Sequence, residues 1–189
     1  MIRIGILGDI GSGKTYVAKS FGYPVFNADA EVAKLYKKNL NVFRKLKKVL
    51  PKYFNKFPID KTLVTKAILA NHQNLEKIIK IIHQEIRKKL RIFIKKNKTK
   101  KIIVLDIPLL LENKINKKND ILIFVQSNKL SISKKLKKRP NFNKILLKKF
   151  KKIQLPLDYK KRKSNFIIKN NFTKKSVKLS IKDILKKIK

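Results

Sequence analysis

Gly8-Asp9-Ile10-Gly11-Ser12-Gly13-Lys14-Thr15 decides how the rest of the chain is read. The octet fills every fixed position of G-x-x-x-x-G-K-[ST], and its flanks have the order that pattern requires. Ile2, Ile4, Ile6 and Leu7 form a short apolar strand before it, and Val17, Ala18 and Phe21 give the following segment a helical apolar face. Glycines at 8, 11 and 13 allow backbone conformations that a Cβ hinders. Successive N–H groups can then turn toward a polyphosphate at a helix N-terminus, where the helix dipole also favours anions. Lys14 is expected to reach the β- and γ-phosphates and the Thr15 hydroxyl to ligate Mg2+. The plain alternative is a glycine-rich turn that binds nothing; the complete motif with these flanks argues against it.

Outward from the loop, 189 residues suit one α/β domain with an inserted or appended subdomain, and 43% hydrophobic residues suffice for a real core. With no cysteine, disulfides, thiolate metal sites and a thiol nucleophile are excluded. The chain enters a strand and the loop directly, so a soluble, cytoplasmic protein with no membrane partner is expected. Lys+Arg 51 against Asp+Glu 11 gives a net charge of +40. Alone, that charge suggests nucleic acid or another anionic partner. Yet the basic residues run through nearly every segment after position 34, alternating with Ile, Leu and Asn. This reads as a composition bias as much as a basic patch, and no specific nucleic acid is expected.

The first helix should run from Lys14 to Phe21, with Gly22 ending it. Pro24, Val25 and Phe26 form a second strand leading into Asn27-Ala28-Asp29. A helix is expected to start at Asp29, which lies at the carboxyl end of a parallel strand, where open α/β sheets place ligands. An N-capping role is the competing explanation for Asp29. Residues 38–98 read as a helical insertion, with 1–37 and 99–189 as the core. In the insertion, Val42 to Leu50 form one amphipathic stripe stopped by Pro51, and Asp60 precedes a second helix. A longer helix carries Leu75, Ile78, Ile79, Ile82, Ile86, Leu90 and Phe93, with His83 and Arg87 sharing a face beside that stripe.

Ile102 to Leu105 form an uninterrupted apolar run ending in Asp106, the pattern of a strand buried on both faces. A terminal carboxylate beside a phosphate loop can hold Mg2+ directly or through water. Pro108-Leu109-Leu110-Leu111-Glu112 follows as a loop or short helix, Ile121 to Val125 as another central strand, and Lys129 to Arg139 as a helix. Residues 139–163 are expected to form a lid, with a basic helix bounded by Pro140 and Pro156 that closes over a triphosphate. A solvated surface helix has the same pattern. Phe166-Ile167-Ile168 is a last strand, and Val177, Ile181 and Ile184 mark a closing helix. The fold class is therefore α/β: a P-loop NTPase-type parallel sheet flanked by helices, with a helical substrate-binding insertion and a helical lid.

These pieces, in this order, resemble dephospho-coenzyme A kinase over nearly the whole length. The resemblance rests on Ile4 to Thr15, Val25-Phe26-Asn27-Ala28-Asp29, Ile59-Asp60-Lys61, His83 with Arg87, Asp106-Ile107-Pro108-Leu109-Leu110-Leu111-Glu112-Asn113, Gln154, and Phe166-Ile167-Ile168 followed by Asn170. It implies ATP-dependent phosphorylation of the ribose 3′-hydroxyl of dephospho-coenzyme A, with Mg2+ as cofactor. Under it Asp29 would accept the hydroxyl proton, and Lys14 and Arg139 would serve the transferring phosphates. The octet with Tyr16 and Asn170 would hold the nucleotide. His83, Arg87, Asp106, Pro108, Leu109 and Glu112 would hold the acceptor, in a pocket between insertion and core. A monomer or weak homo-oligomer is expected.

Four positions depart from the family pattern. Asp9 replaces a glycine, placing a negative side chain near phosphates unless it points outward. Asn27 stands where a first aspartate is expected, which leaves Asp29 as the one carboxylate of that motif. Gln84 replaces a proline and Lys61 an arginine. A P-loop kinase for another nucleoside or nucleotide, or a nucleic-acid-binding ATPase, remains the alternative reading.

Overall fold

The computed structural model describes residues 1–140 and 142–188. Position 141, within the expected lid, and position 189, the last of the expected core, lie outside the described residues. The chain divides into two compact units: Met1–Asn27, Asn97–Asn143 and Phe150–Lys189 form the first, Ala28–Lys96 and Lys144–Lys149 the second.

In the first unit, β1 (Ile2–Gly8), β2 (Val25–Asn27), β3 (Ile102–Asp106), β4 (Ile121–Gln126) and β5 (Phe166–Lys169) form a sheet in the order β2-β3-β1-β4-β5. Every pairing is parallel. β3 is buried at every residue, and β1 at all but its first. Strands covered on both faces have no need of polar alternation, which is why these runs read as continuous apolar sequence. One face of the sheet packs Ile4, Ile6, Val104, Ile123, Val125 and Ile168 against Val17, Ala18 and Phe21 of α1 (Lys14–Ser20). Val177, Ile181 and Ile184 of α9 (Lys174–Lys187) complete that layer. The chain places β2 and β3 on one side of β1 and then crosses over to place β4 and β5 on the other, so the carboxyl end of β1 lies at the switch point where such sheets bind ligands.

At the other end of β1 the Arg3 guanidinium donates to Asp120 at 2.9 Å and to the Ile115 carbonyl at 3.2 Å. Burial raises the Asp120 carboxyl above its ordinary value, against the lowering effects of the Lys117 backbone N–H and of Arg3.

The second unit contains α2 (Ala28–Lys38), α3 (Leu40–Val49), α4 (Lys61–Ala70) and α5 (His72–Lys96). α5 buries Leu75, Ile78, Ile82, Ile86 and Leu90, spaced so that one apolar stripe faces the other helices. Caps start the helices: Asn39 accepts from the Val42 N–H at 2.9 Å and Asp60 from the Thr62 N–H at 2.8 Å. At the far end of α4, Lys149 donates to the Ile68 and Leu69 carbonyls at 2.8 and 3.2 Å, satisfying acceptors that a helix terminus leaves open.

Two sequence expectations change. α2 starts at Ala28, so Asp29 lies in its first turn and is not its cap. The basic segment after Pro140 forms two helices, α7 (Lys144–Lys152) and α8 (Leu157–Arg162). Pro156, read from sequence as a stop, is the N-cap of α8, and its carbonyl accepts from the Lys160 N–H at 3.1 Å. Proline suits a helix start because the N–H it lacks has no intrahelical partner there.

Candidate active site

The loop after β1 is built by close backbone approach. Gly8 has φ 143°, and a Cβ there would lie 2.6 Å from the Val125 carbonyl of β4. Gly13, the N-cap of α1, has φ 90°, and a Cβ there would run into the Asn170 side chain. Only glycine meets both demands. The Ser12 carbonyl accepts from Ser127 Oγ and from Asn170 Nδ2, each at 2.9 Å. Ser127 directly follows β4 and Asn170 directly follows β5, so the loop is clamped from the ends of two strands. Ser127 carries no signal in the sequence beyond its place after an apolar run.

Lys14 is buried, and its Nζ donates to the Gly8 and Asp9 carbonyls at 3.1 and 2.7 Å. Asp9 turns its carboxylate to the loop's own rim: Oδ1 accepts from the Ile10 N–H at 2.7 Å, and Oδ2 lies 3.5 Å from Lys151 Nζ. Tyr16 is 41% exposed on α1.

Thr15 Oγ1 donates to Asp106 Oδ2 at 2.7 Å. Asn27 is in register with Asp106 across β2 and β3, and its side-chain amide donates to the same oxygen. A carboxylate at position 27 would oppose Asp106 with like charge; the amide supplies a donor instead. Asp106 is buried with its oxygen aimed at the start of α1, and together with the Thr15 hydroxyl it makes a set of hard oxygen donors of the kind Mg2+ prefers.

Residues 108–114 form turns after β3. Pro108 and Leu109 are half-buried, and the Leu109 carbonyl accepts from Asn113 Nδ2 at 2.8 Å. Glu112 Oε1 lies 2.6 Å from the buried Lys160 ammonium and accepts from the Leu155 N–H at 3.0 Å. Sequence reasoning missed Lys160 because it sits within Lys160-Lys161-Arg162-Lys163, which looks like a solvated run. Arg139 is exposed in the turn after α6 (Lys129–Lys137).

The first unit thus brings Gly8 to Thr15, Asp106 and Asn170 together, and engages Glu112 from α8. The second unit holds Asp29, exposed in the first turn of α2, with His83 half-buried and Arg87 exposed one turn apart on α5.

A parallel sheet in this order with a complete phosphate-binding loop after its central strand is the fold of P-loop kinases. A Thermus thermophilus protein of known crystal structure superposes with a TM-score of 0.76 at 22% identity, covering 100% of this chain and 98% of that one. The dephospho-CoA kinase of Campylobacter jejuni superposes with a TM-score of 0.65 at 20% identity, covering 98% and 96%. The family model of dephospho-CoA kinase (CoaE) matches residues 2–176, and the chain belongs to that family. The dephospho-CoA kinase of Wolbachia sp. subsp. Brugia malayi is 34% identical over 187 residues, 96% of this chain and 95% of its own length. As a member of a kinase family the chain uses ATP and acts on a small molecule. Among the described residues no helix is long and apolar enough to cross a membrane.

Proposed function

We propose that this chain transfers the γ-phosphoryl group of ATP to the ribose 3′-hydroxyl of dephospho-coenzyme A, giving coenzyme A and ADP in the last step of coenzyme A biosynthesis. The observation that carries this is the family match over residues 2–176, which includes the phosphate loop, Asp106 and Asn170 in their clamped arrangement.

The N–H groups of residues 8–15 cradle the polyphosphate, and Lys14 leaves the Gly8 and Asp9 carbonyls for phosphate oxygens. Ile10 and Tyr16 border the bound nucleotide, and Asn170 holds its loop. The Thr15 hydroxyl and Asp106 would hold Mg2+, which when bound neutralises charge on the phosphate oxygens. The 3′-oxygen forms a bond to the γ-phosphorus, the bond from that phosphorus to the bridging oxygen of ADP breaks, and the hydroxyl proton passes to the Asp29 carboxylate. A carboxylate suffices as acceptor because phosphoryl transfer through a loose transition state needs an oriented base rather than a strong one. Arg139 supplies positive charge to the transferring group, with the segment 139–163 as lid. His83, Arg87, Pro108, Leu109 and Glu112 recognise the acceptor.

We place the protein in the cytoplasm as a monomer or weak homo-oligomer, without a specific nucleic-acid partner. The +40 charge is spread along the chain, and such a field favours salt-sensitive, nonspecific binding. Coupled ADP release with dephospho-coenzyme A and Mg-ATP tests the assignment. Pure, folded protein that releases no acceptor-dependent ADP overturns it, and a panel of nucleosides and nucleotides at equal concentration tests the acceptor by ratios of kcat/KM.

A further inference from the structure

Lys14 and Lys160 are the buried lysines among the described residues. Lys14 belongs to the phosphate loop. Lys160, at 1% exposed, does not. An ammonium taken out of water is unfavourable unless paired and hydrogen-bonded, and the partners here are specific. Nζ lies 2.6 Å from Glu112 Oε1 and 3.5 Å from Gln154 Oε1. The same Glu112 oxygen accepts from the Leu155 N–H at 3.0 Å. Two donors therefore fix one oxygen of the carboxylate. The other, Oε2, is buried and has no hydrogen-bond partner among the described residues.

That asymmetry distinguishes the arrangement from a simple structural ion pair. Leaving a buried carboxylate oxygen unpaired is unfavourable, and native folds satisfy nearly all such atoms. The loop carrying Glu112 begins at Asp106, and Lys160, Gln154 and Leu155 all lie at the carboxyl-terminal end of the segment read as the lid. One ammonium thus ties the loop after β3 to the chain that follows α7.

We propose that Lys160 is a positioning residue: it pins Glu112 through Oε1 and leaves the buried Oε2 to be taken up by a hydrogen-bond donor, a hydroxyl or an N–H, of the acceptor nucleotide when the loop opens to admit it. This rests on the reading of Pro108 to Glu112 as the acceptor loop. Lys160 itself touches no substrate. It acts through Glu112, and it also sets the spacing between the acceptor loop and the residues that follow the lid helix.

The test is steady-state kinetics of Lys160→Met, Lys160→Arg, Glu112→Gln and the double variant, with dephospho-coenzyme A and Mg-ATP varied separately and Tm recorded for each. Lys160→Met should raise KM for the acceptor by about 10-fold or more, the size expected for loss of a hydrogen bond to a charged group. KM for ATP should stay within about twofold. Lys160→Arg, which keeps the charge, should recover much of the loss. Glu112→Gln replaces Oε2 by an amide NH2 that donates and cannot accept, so it should raise the same constant, and the double variant should be no worse than the poorer single one. Lys160→Met with lowered Tm but unchanged acceptor KM reduces the pair to a structural bridge and overturns the proposal. If Lys160→Met does not fold, Glu112→Gln decides alone, since it conserves volume: an unchanged acceptor KM overturns the proposal. Wild-type protein without acceptor-dependent turnover overturns the functional assignment itself, a different result from active wild type with indifferent variants.

Discussion

Thr15 and Asp106, 91 residues apart, meet at 2.7 Å, hydroxyl to carboxylate, at the carboxyl edge of the sheet. The buried Asp106 oxygen also receives the Asn27 amide, so the residue that ends β3 is held by the helix after β1 and by the neighbouring strand. The pair joins the start of α1 to the strand that leads into the turns at 108–114.

Asp106→Asn should retain the fold, because the side chain is isosteric, yet turn a donor toward Thr15. We expect kcat to fall roughly 10- to 100-fold and half-saturation by Mg2+ to move to higher concentration, the range found when groups around a metal are altered. A Mg2+ titration of ADP release measures both. An unchanged titration curve would remove Asp106 from metal binding.

Asp29→Asn removes the proposed base without changing shape. Turnover should drop by about 10²-fold or more while ATP affinity, read by fluorescent nucleotide displacement, is preserved. Asp29 is exposed and does not cap α2, so Tm should change little. Equal turnover by the variant would reassign the residue to favourable charge at the helix N-terminus.

Asp9→Gly restores the family's usual residue. Because the carboxylate is occupied by the Ile10 N–H and lies near the half-exposed Lys151, it is not aimed into the cradle. At 3.5 Å, with its lysine half in solvent, this pair contributes little. We expect kcat/KM within about fivefold of the parent, and a gain of two orders would show that Asp9 repels the phosphates.

Acid should weaken the second unit through Glu85. Burial pushes its carboxyl up, but hydrogen bonds and charge from Lys88 and Lys45 outweigh it and hold the group below its ordinary value of 4.5. A lowered folded-state value means stabilisation present at neutral pH and lost as pH falls through that value. The Tm difference between parent and Glu85→Gln should therefore be greatest near neutrality and shrink in acid below pH 4.5. A difference independent of pH would show that the ion pairs with Lys45 and Lys88 contribute nothing.

The central strands were legible because β3 and β4 are buried on both faces and need no polar alternation. The order of those strands was not, because an apolar run carries no mark of which side of β1 it joins. Helix starts were readable at Asp60, where a cap stands before an apolar periodicity, and misread at Pro156, since proline both ends one helix and begins the next. Glycines 8, 11 and 13 with Lys14 announced the loop, whereas Ser127 did not: its role is a single hydrogen bond to a carbonyl 115 residues away. Lys160 was hidden by composition, one lysine in a run where most are solvated and only burial separates it from its neighbours.

The clamp on the Ser12 carbonyl has a consequence for how nucleotide affinity is composed. Ser127 and Asn170 already fix the main-chain curve of the loop, so the cradle meets its ligand with little ordering left to do. Lys14 is in the opposite condition: its ammonium already serves two carbonyls, and under the proposed role it would exchange them for phosphate oxygens. Under the proposed role, shape recognition would rest on a pre-formed curve while charge recognition would be a competition, and salt should act on the second without disturbing the first.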